Sequence, residues 1–437
     1  NQTFSVETSL STLFFREETM KKLLIAVLCL MLTGCAAPAP SDGSGPDRSV
    51  SPDIPAPSPA ASSAPNGESG PPQASPETDP ETAENPSASQ EPSESSLGPQ
   101  NQEQIIQELL SAMTLEEKVG QMFFVRCPET GGAELAAQYK VGGYLLFGRD
   151  FKDKTAQQVR DDIQSYQDAS GIPLLIGTDE EGGTVVRASS NPDLFPQREP
   201  APQTLFAQGG MDLILQDARQ KSMTLLDLGV NVNFAPVADV STDPADFIYA
   251  RSFGQDAQAT ANYVAQVVGV MGEEQIGSVL KHFPGYGNNV DTHTGIALDQ
   301  RPYETFQTSD FLPFQAGIQA GADAVLVSHN IAASMDESLP ASLSPTVHKI
   351  LREELGFDGV VLTDDLAMDA VMEYAQNGSA AVLAIQAGND MVVTTDFQTQ
   401  IPQVIHAVQS GVIAESQIDQ AVTRVLNWKY ELGLLGN

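Results

Sequence analysis

Cysteine is nearly absent from this chain. Three occur in 437 residues, Cys29, Cys35 and Cys127, and the first two fall in the N-terminal segment. The body keeps a single cysteine, from which neither a disulfide framework nor a zinc cluster can be built. Basic residues are scarce as well: 22 Lys and Arg stand against 57 Asp and Glu, a formal charge of −35. From residue 101 onward there are 44 acids and 18 bases. A body so acidic repels nucleic acid phosphates and anionic lipid headgroups, so no nucleic acid partner is expected. Histidine numbers five, with no His-x-x-x-His or His-Glu-x-x-His spacing, and neither metal nor other cofactor is expected. Long apolar runs are missing too. The stretch 23–32 is apolar almost throughout but too short to span a bilayer.

That short run has another use. Met20-Lys21-Lys22 precedes it and Leu32-Thr33-Gly34-Cys35 closes it. A basic start, a short apolar centre and small residues before the cut mark a secretory signal. The ending resembles a bacterial lipobox, which implies lipidation of Cys35 and an extracytoplasmic protein anchored to the cell membrane. Residues 1–19, upstream of the start-like Met20, read as a translation artefact. Residues 36–101 are dominated by Pro, Ser, Ala, Glu and Gly. They hold too little apolar surface to offset ordering entropy and are expected to be a disordered tether. At about 3.1 Å per residue in polyproline II geometry, such a tether reaches roughly 200 Å.

The texture changes at residue 102. Thr114-Leu115-Glu116-Glu117 has the pattern of a capped helix start. Short apolar runs then alternate with helical stretches such as 155–169, 213–228 and 257–272. Eight runs qualify as strands: 122–125, 143–147, 174–177, 230–234, 278–280, 324–327, 359–362 and 391–393. Eight alternations over 102–437 predict an α/β fold of the TIM-type, a (β/α)8 barrel forming one catalytic domain, with a doubly wound sheet as the alternative.

In such barrels the chemistry sits at the C-terminal ends of the strands. The unusual polar residues follow that rule. Asp179-Glu180-Glu181-Gly182-Gly183 follows the third run, and Asp239 and later Arg251 follow the fourth. Lys281-His282 closes the fifth, Ser328-His329-Asn330 the sixth and Thr363-Asp364-Asp365 the seventh. The glycine pair after Glu181 lacks the Lys-Ser/Thr ending of a phosphate loop. Asp365 reads as a helix cap or a partner for a base, and His329 as a strand-end histidine satisfied by hydrogen bonds. After Lys281-His282 the chain runs through Pro284, Gly285 and Gly287 to Asp291-Thr292-His293. A histidine oriented by a carboxylate two residues away is a proton shuttle near neutral pH. A solvated loop with a capping Asp and a surface His explains the same spacing equally well.

Taken in order, these pieces resemble glycoside hydrolase family 3, in its bacterial β-N-acetylglucosaminidase branch. The resemblance rests on Gly177 through Gly183 with Arg187, on Phe234 through Val240, and on Arg251-Ser252-Phe253-Gly254. Lys281 through Gly287, Asp291-Thr292-His293 and Asp364-Asp365-Leu366 complete it. It implies retaining, exo-acting removal of terminal β-linked N-acetylglucosamine from peptidoglycan fragments or chitooligosaccharides. It further implies that Asp364 is the nucleophile and His293, paired with Asp291, the acid and base. Asp179, Arg187, Arg251, Lys281 and His282 would grip the sugar. The chain departs from the pattern at Tyr286, where relatives usually carry His, and at Asn288-Asn289 in place of Asp-Thr. A β-glucosidase or an N-acetylglucosamine phosphorylase of the same family is the nearest alternative, and an inactive carbohydrate-binding lipoprotein a distant one. A monomer acting on a carbohydrate is expected.

Overall fold

The computed structural model describes residues 99–289, 297–368, 371, 374 and 379–436. Cys35, Asp291 and His293 lie outside the described residues. Eight strands form one parallel sheet: β1 (Phe123–Arg126), β2 (Gly143–Leu146), β3 (Leu175–Thr178), β4 (Val232–Asn233), β5 (Gly277–Phe283), β6 (Ala324–Val327), β7 (Val360–Thr363) and β8 (Val392–Thr394). Each strand pairs with the next in the chain from β1 to β7, and β1 also pairs with β8. A parallel bridge between Leu362 and Met391 links β7 to the start of β8 and closes the ring. The barrel expected from the alternating pattern is therefore present, and all eight runs read from the sequence became its strands.

Strand side chains alternate, and here the alternation sorts the core into two shells. Phe124, Leu145, Leu175, Val279, Leu326, Leu362 and Val393 form the inner cluster, with Val425 and Trp428 of the helix Glu415–Glu431 packed against them. Their strand neighbours Phe123, Val125, Tyr144, Ile176, Leu280, Val325 and Val361 belong to the larger cluster with the surrounding helices. Where the strands run out, period two carries the inward direction one step further. From Phe124 that step reaches Arg126, from Leu145 Phe147, from Gly177 Asp179, from Val279 Lys281 and from Leu362 Asp364. An apolar interior thus gives way, one layer up, to a polar mouth.

The helices begin where the local chemistry dictates. Thr114 caps Leu115–Gln121 in a reciprocal box: its Oγ1 accepts from Glu117 N at 3.3 Å, and Glu117 Oε2 accepts from Thr114 N at 2.9 Å. Thr155 and Gln158 do the same for Ala156–Ala169. The stretch expected over 213–228 is longer than its periodicity suggests and runs Pro202–Asp227. Pro202 starts it, and Gly210, at φ 65°, lets two helical segments join across a kink. Beneath the barrel Lys429 is wholly buried, and its Nζ donates to Gln121 Oε1 at 2.5 Å. Burial pulls its ammonium down to about 7. Among the described residues no helix is long and apolar enough to cross a membrane.

Candidate active site

The loop after β3 is built around a buried carboxylate. Glu180 Oε2 accepts the backbone N–H groups of Arg187, Ala188 and Ser189 at 2.9, 2.7 and 3.3 Å, and Oε1 accepts Ser189 Oγ at 2.5 Å. This folds the loop back so that Arg187 returns to the mouth. Gly182 is required by the same fold. Its φ is 94°, and a Cβ there would lie 2.2 Å from the carbonyl oxygen of Pro200. Glu180 is therefore architectural, although it sits between Asp179, which faces the cavity, and Glu181, whose buried carboxylate meets the cations that line it.

Those two carboxylates organise the cations. Lys281 Nζ lies 2.7 Å from Asp179 Oδ1 and 2.6 Å from Glu181 Oε1. Arg251 grips Glu181 with both arms, Nη2 to Oε1 at 2.7 Å and Nε to Oε2 at 3.0 Å. Arg187 Nη2 reaches Asp179 Oδ2 at 3.3 Å. Burial by itself would raise the Glu181 carboxyl, but the Lys281 and Arg251 charges outweigh it and hold that carboxyl far below the usual range. Burial likewise opposes the Arg251 charge, and Glu181 more than restores it, so the guanidinium is held well above its ordinary value. The Glu181–Arg251 pair is thereby kept charged.

At the end of β5 the pairing register shifts between Lys281 and Phe283. A bulge of this kind re-aims side chains, and the consecutive residues Lys281 and His282 both line the cavity. Asp239 then fixes the histidine. Its Oδ2 meets His282 Nδ1 at 2.7 Å and His282 N at 3.1 Å, while Oδ1 accepts from Tyr286 N at 2.8 Å. Arg251 Nη2 lies 3.0 Å from His282 Nε2. A guanidinium can only donate, so Nε2 is the acceptor and the proton sits on Nδ1, facing Asp239. Tyr286, one of the departures from the family pattern, is buried with its ring 5.2 Å from that of His282.

Asp364 comes from β7. Its backbone N–H donates to Val327 O at 3.0 Å, and its Oδ1 accepts from Asp365 N at 2.8 Å. Asp365 Oδ1 accepts from Ala367 N at 2.9 Å, within a turn. His329 is satisfied on both ring nitrogens, by Ser342 Oγ at 2.7 Å and Asp365 O at 3.0 Å. Asp179, Arg187, Arg251, Lys281, His282 and Asp364 all line one cavity of about 350 Å³, a size within the usual range of small-molecule sites. Six of the eight candidate catalytic and binding residues are thus brought together, and the other two, Asp291 and His293, lie outside the described residues. Glu181, Asp239, Arg126 and Phe147 are functional-site residues that the sequence reading did not single out. Period two from the inner cluster would have flagged Arg126 and Phe147. For Glu181 and Asp239 the signals were their place just past strand ends and inside the stretches Gly177 through Gly183 and Phe234 through Val240.

The model of the glycosyl hydrolase family 3 N-terminal domain matches residues 114–428. The chain belongs to glycosyl hydrolase family 3. A β-hexosaminidase of Stenotrophomonas maltophilia is 35% identical to it over 318 residues, covering 70% of this chain and 89% of the relative. Among solved structures, a family 3 β-N-acetylglucosaminidase from Paenibacillus sp. superposes with a TM-score of 0.68 at 30% identity. That match covers 75% of this chain and 64% of the other, so the family 3 chain spans a little under two-thirds of that neighbour's length. A β-glucoside phosphorylase superposes with a TM-score of 0.67 at 21% identity, covering 76% of this chain and 60% of the other, and shares the fold. The resemblance read from the ordered motifs holds at the level of the family.

Proposed function

We propose that this family 3 chain is an exo-acting, retaining β-N-acetylglucosaminidase that removes terminal N-acetylglucosamine from peptidoglycan fragments or chitooligosaccharides. One observation carries the reading: Asp364 lines the same cavity as Asp179, Lys281 and Arg251, the last two tied together by buried Glu181. A carboxylate facing a rigid set of hydrogen-bonding groups is what a glycosyl-enzyme mechanism needs.

In this mechanism the Asp364 carboxylate attacks the anomeric carbon as the glycosidic C–O bond breaks. His293, oriented by Asp291, gives its proton to the departing oxygen. A water then attacks the glycosyl ester, His293 takes the water's proton, and Asp364 leaves as carboxylate. Two inversions give net retention. Lys281 and Arg187 hold Asp179, and Asp239 holds His282, so the groups expected to bind the sugar hydroxyls are fixed before substrate arrives.

Hydrolysis of an aryl β-N-acetylglucosaminide against the matching β-glucoside, with and without inorganic phosphate, tests the reading. The first substrate should be strongly preferred, with free sugar as product in both buffers. Preference for the glucoside, or accumulation of a glycosyl phosphate, would overturn it. The same reading holds the enzyme outside the cell membrane by a lipid on Cys35, for which the Leu32-Thr33-Gly34-Cys35 run is the support. Cys35→Ala should move the protein from the membrane to the soluble fraction with its specific activity intact, and equal membrane retention would remove the anchor.

A further inference from the structure

Two lengths of chain flank the stretch that carries Asp291 and His293, and both are tied down. On the leading side Phe283 O accepts from Ser328 N at 2.9 Å, and Asp239 Oδ1 accepts from Tyr286 N at 2.8 Å. On the trailing side Leu298–Asp299 forms a short parallel ladder with Ile331–Ala332. Arg301 stands where the two sides meet. Its Nη2 donates to Gly285 O at 3.1 Å and to Asp299 Oδ2 at 2.7 Å. Nε donates to the Asp299 oxygens at 2.9 and 3.1 Å, and Nη1 to both oxygens of Asp310 at 3.0 Å. One guanidinium group thus ties position 285 to positions 299 and 310.

The surroundings fix that group. Asp299 and Asp310 are buried, and the one cation serves both. Burial opposes the Arg301 charge, and the two carboxylates more than restore it. The Phe306 ring covers a face of the guanidinium, its centre 4.4 Å from the guanidinium carbon. Loop backbone is pressed against the same assembly. A Cβ on Gly287 would lie 2.2 Å from Arg301 Nη1, and one on Gly285 would lie 2.4 Å from Asp310 Oδ1. At these two positions the approach is one that only glycine permits. The bond to Gly285 O is the part that crosses the loop's neck, joining residues sixteen apart in sequence.

We infer that Arg301 is a positioning residue for the proton-transfer steps, a clip on the neck of the loop that carries Asp291 and His293. The inference rests on the reading of His293 as acid and base. A proton donor must come within hydrogen-bond reach of the departing oxygen, and a misplacement of about 1 Å can cost on the order of 10²-fold. Fixing both ends of a connecting segment limits the space its middle explores. Arg301 is not among the residues lining the cavity, so it acts through the loop and not on the sugar.

The test is Arg301→Lys in the full chain. Lysine keeps a charge for Asp299 and Asp310 but lacks the planar fork that reaches Gly285 O at the same time. On natural sugars kcat/KM should fall about 10- to 100-fold. On an aryl substrate with an acidic phenol, whose departing oxygen needs little protonation, it should fall far less. Added to His293→Ala, Arg301→Lys should cause no further loss, because the group it positions is gone. Gly287→Ala, which displaces Nη1 and keeps every charged group, should show the same selectivity. Thermal melts check folding, and the variant that folds carries the test if the other does not. A merely structural residue would lower kcat/KM on both substrates alike and multiply the His293→Ala loss. Either result, or wild-type kinetics in the folded variants, would overturn the inference. Selective loss in His293→Ala without it in Arg301→Lys defeats this inference alone. Selective loss in Arg301→Lys without it in His293→Ala defeats His293 as the acid alone, and leaves the proton donor elsewhere on the clipped loop.

Discussion

Asp364→Asn is expected to abolish turnover on every substrate, activated or natural. The carboxylate is needed twice in the proposed mechanism, to form the glycosyl bond and to leave from it, so no choice of leaving group can bypass its loss. Asparagine keeps the shape and an oxygen that can accept from Asp365 N, and the backbone bond to Val327 does not involve the side chain. The fold should therefore survive, and an unchanged thermal melt would attribute the loss to chemistry. Losing a nucleophile typically costs more than the roughly 10²–10⁴-fold of a general acid. A variant that kept about a tenth of wild-type kcat would place the nucleophile elsewhere.

The second large effect is selective. His293→Ala should lower kcat/KM on natural sugars by about 10²–10⁴-fold, the usual contribution of general acid–base catalysis. An aryl substrate with an acidic phenol needs little protonation, so its first step should fall far less. Deglycosylation would still lack a base, and the glycosyl-enzyme should accumulate. Stopped-flow would read this as a burst of phenol, and mass spectrometry as an added sugar on the peptide containing Asp364. Asp291→Ala should show the same behaviour more weakly, because the imidazole remains without its orienting carboxylate. Equal losses on natural and activated substrates, with no trapped intermediate, would show that another group moves the proton.

The two predictions draw on different parts of the chain's information. Asp364 was legible because it ends an apolar run, and strand ends are where this barrel architecture exposes polar groups. The eight strands were legible for a related reason: buried parallel strands are short, apolar and bounded by polar loops. Asp179, Arg187, Arg251, Lys281 and His282 were located by ordered motifs, and the cavity does bring them together. Glu181 shows where that reading ran out. It stands beside Glu180 in sequence, yet one carboxylate folds a loop and the other bridges two cations. Both are Glu, both are buried, and neighbouring positions on an irregular loop carry no periodicity to tell them apart.

By itself the sequence determined the order of elements, the inward face of each strand and the identity of the residues delivered to one end of the barrel. Those properties are local, set by alternation at period two and by the polar residues that stop each strand. Tertiary structure decided who meets whom. Lys281 finds Asp179 and Glu181 because β3 and β5 flank the two-residue strand β4 and converge on one mouth. The register shift at the end of β5 adds His282 to the same wall, where Asp239 and Arg251 fix its tautomer. Arg126 stands against the Phe147 ring because β1 pairs in register with β2, Arg126 opposite Leu145, two residues before Phe147. Pairings of this kind depend on distances between chain segments far apart in sequence, and only the closed barrel sets those distances.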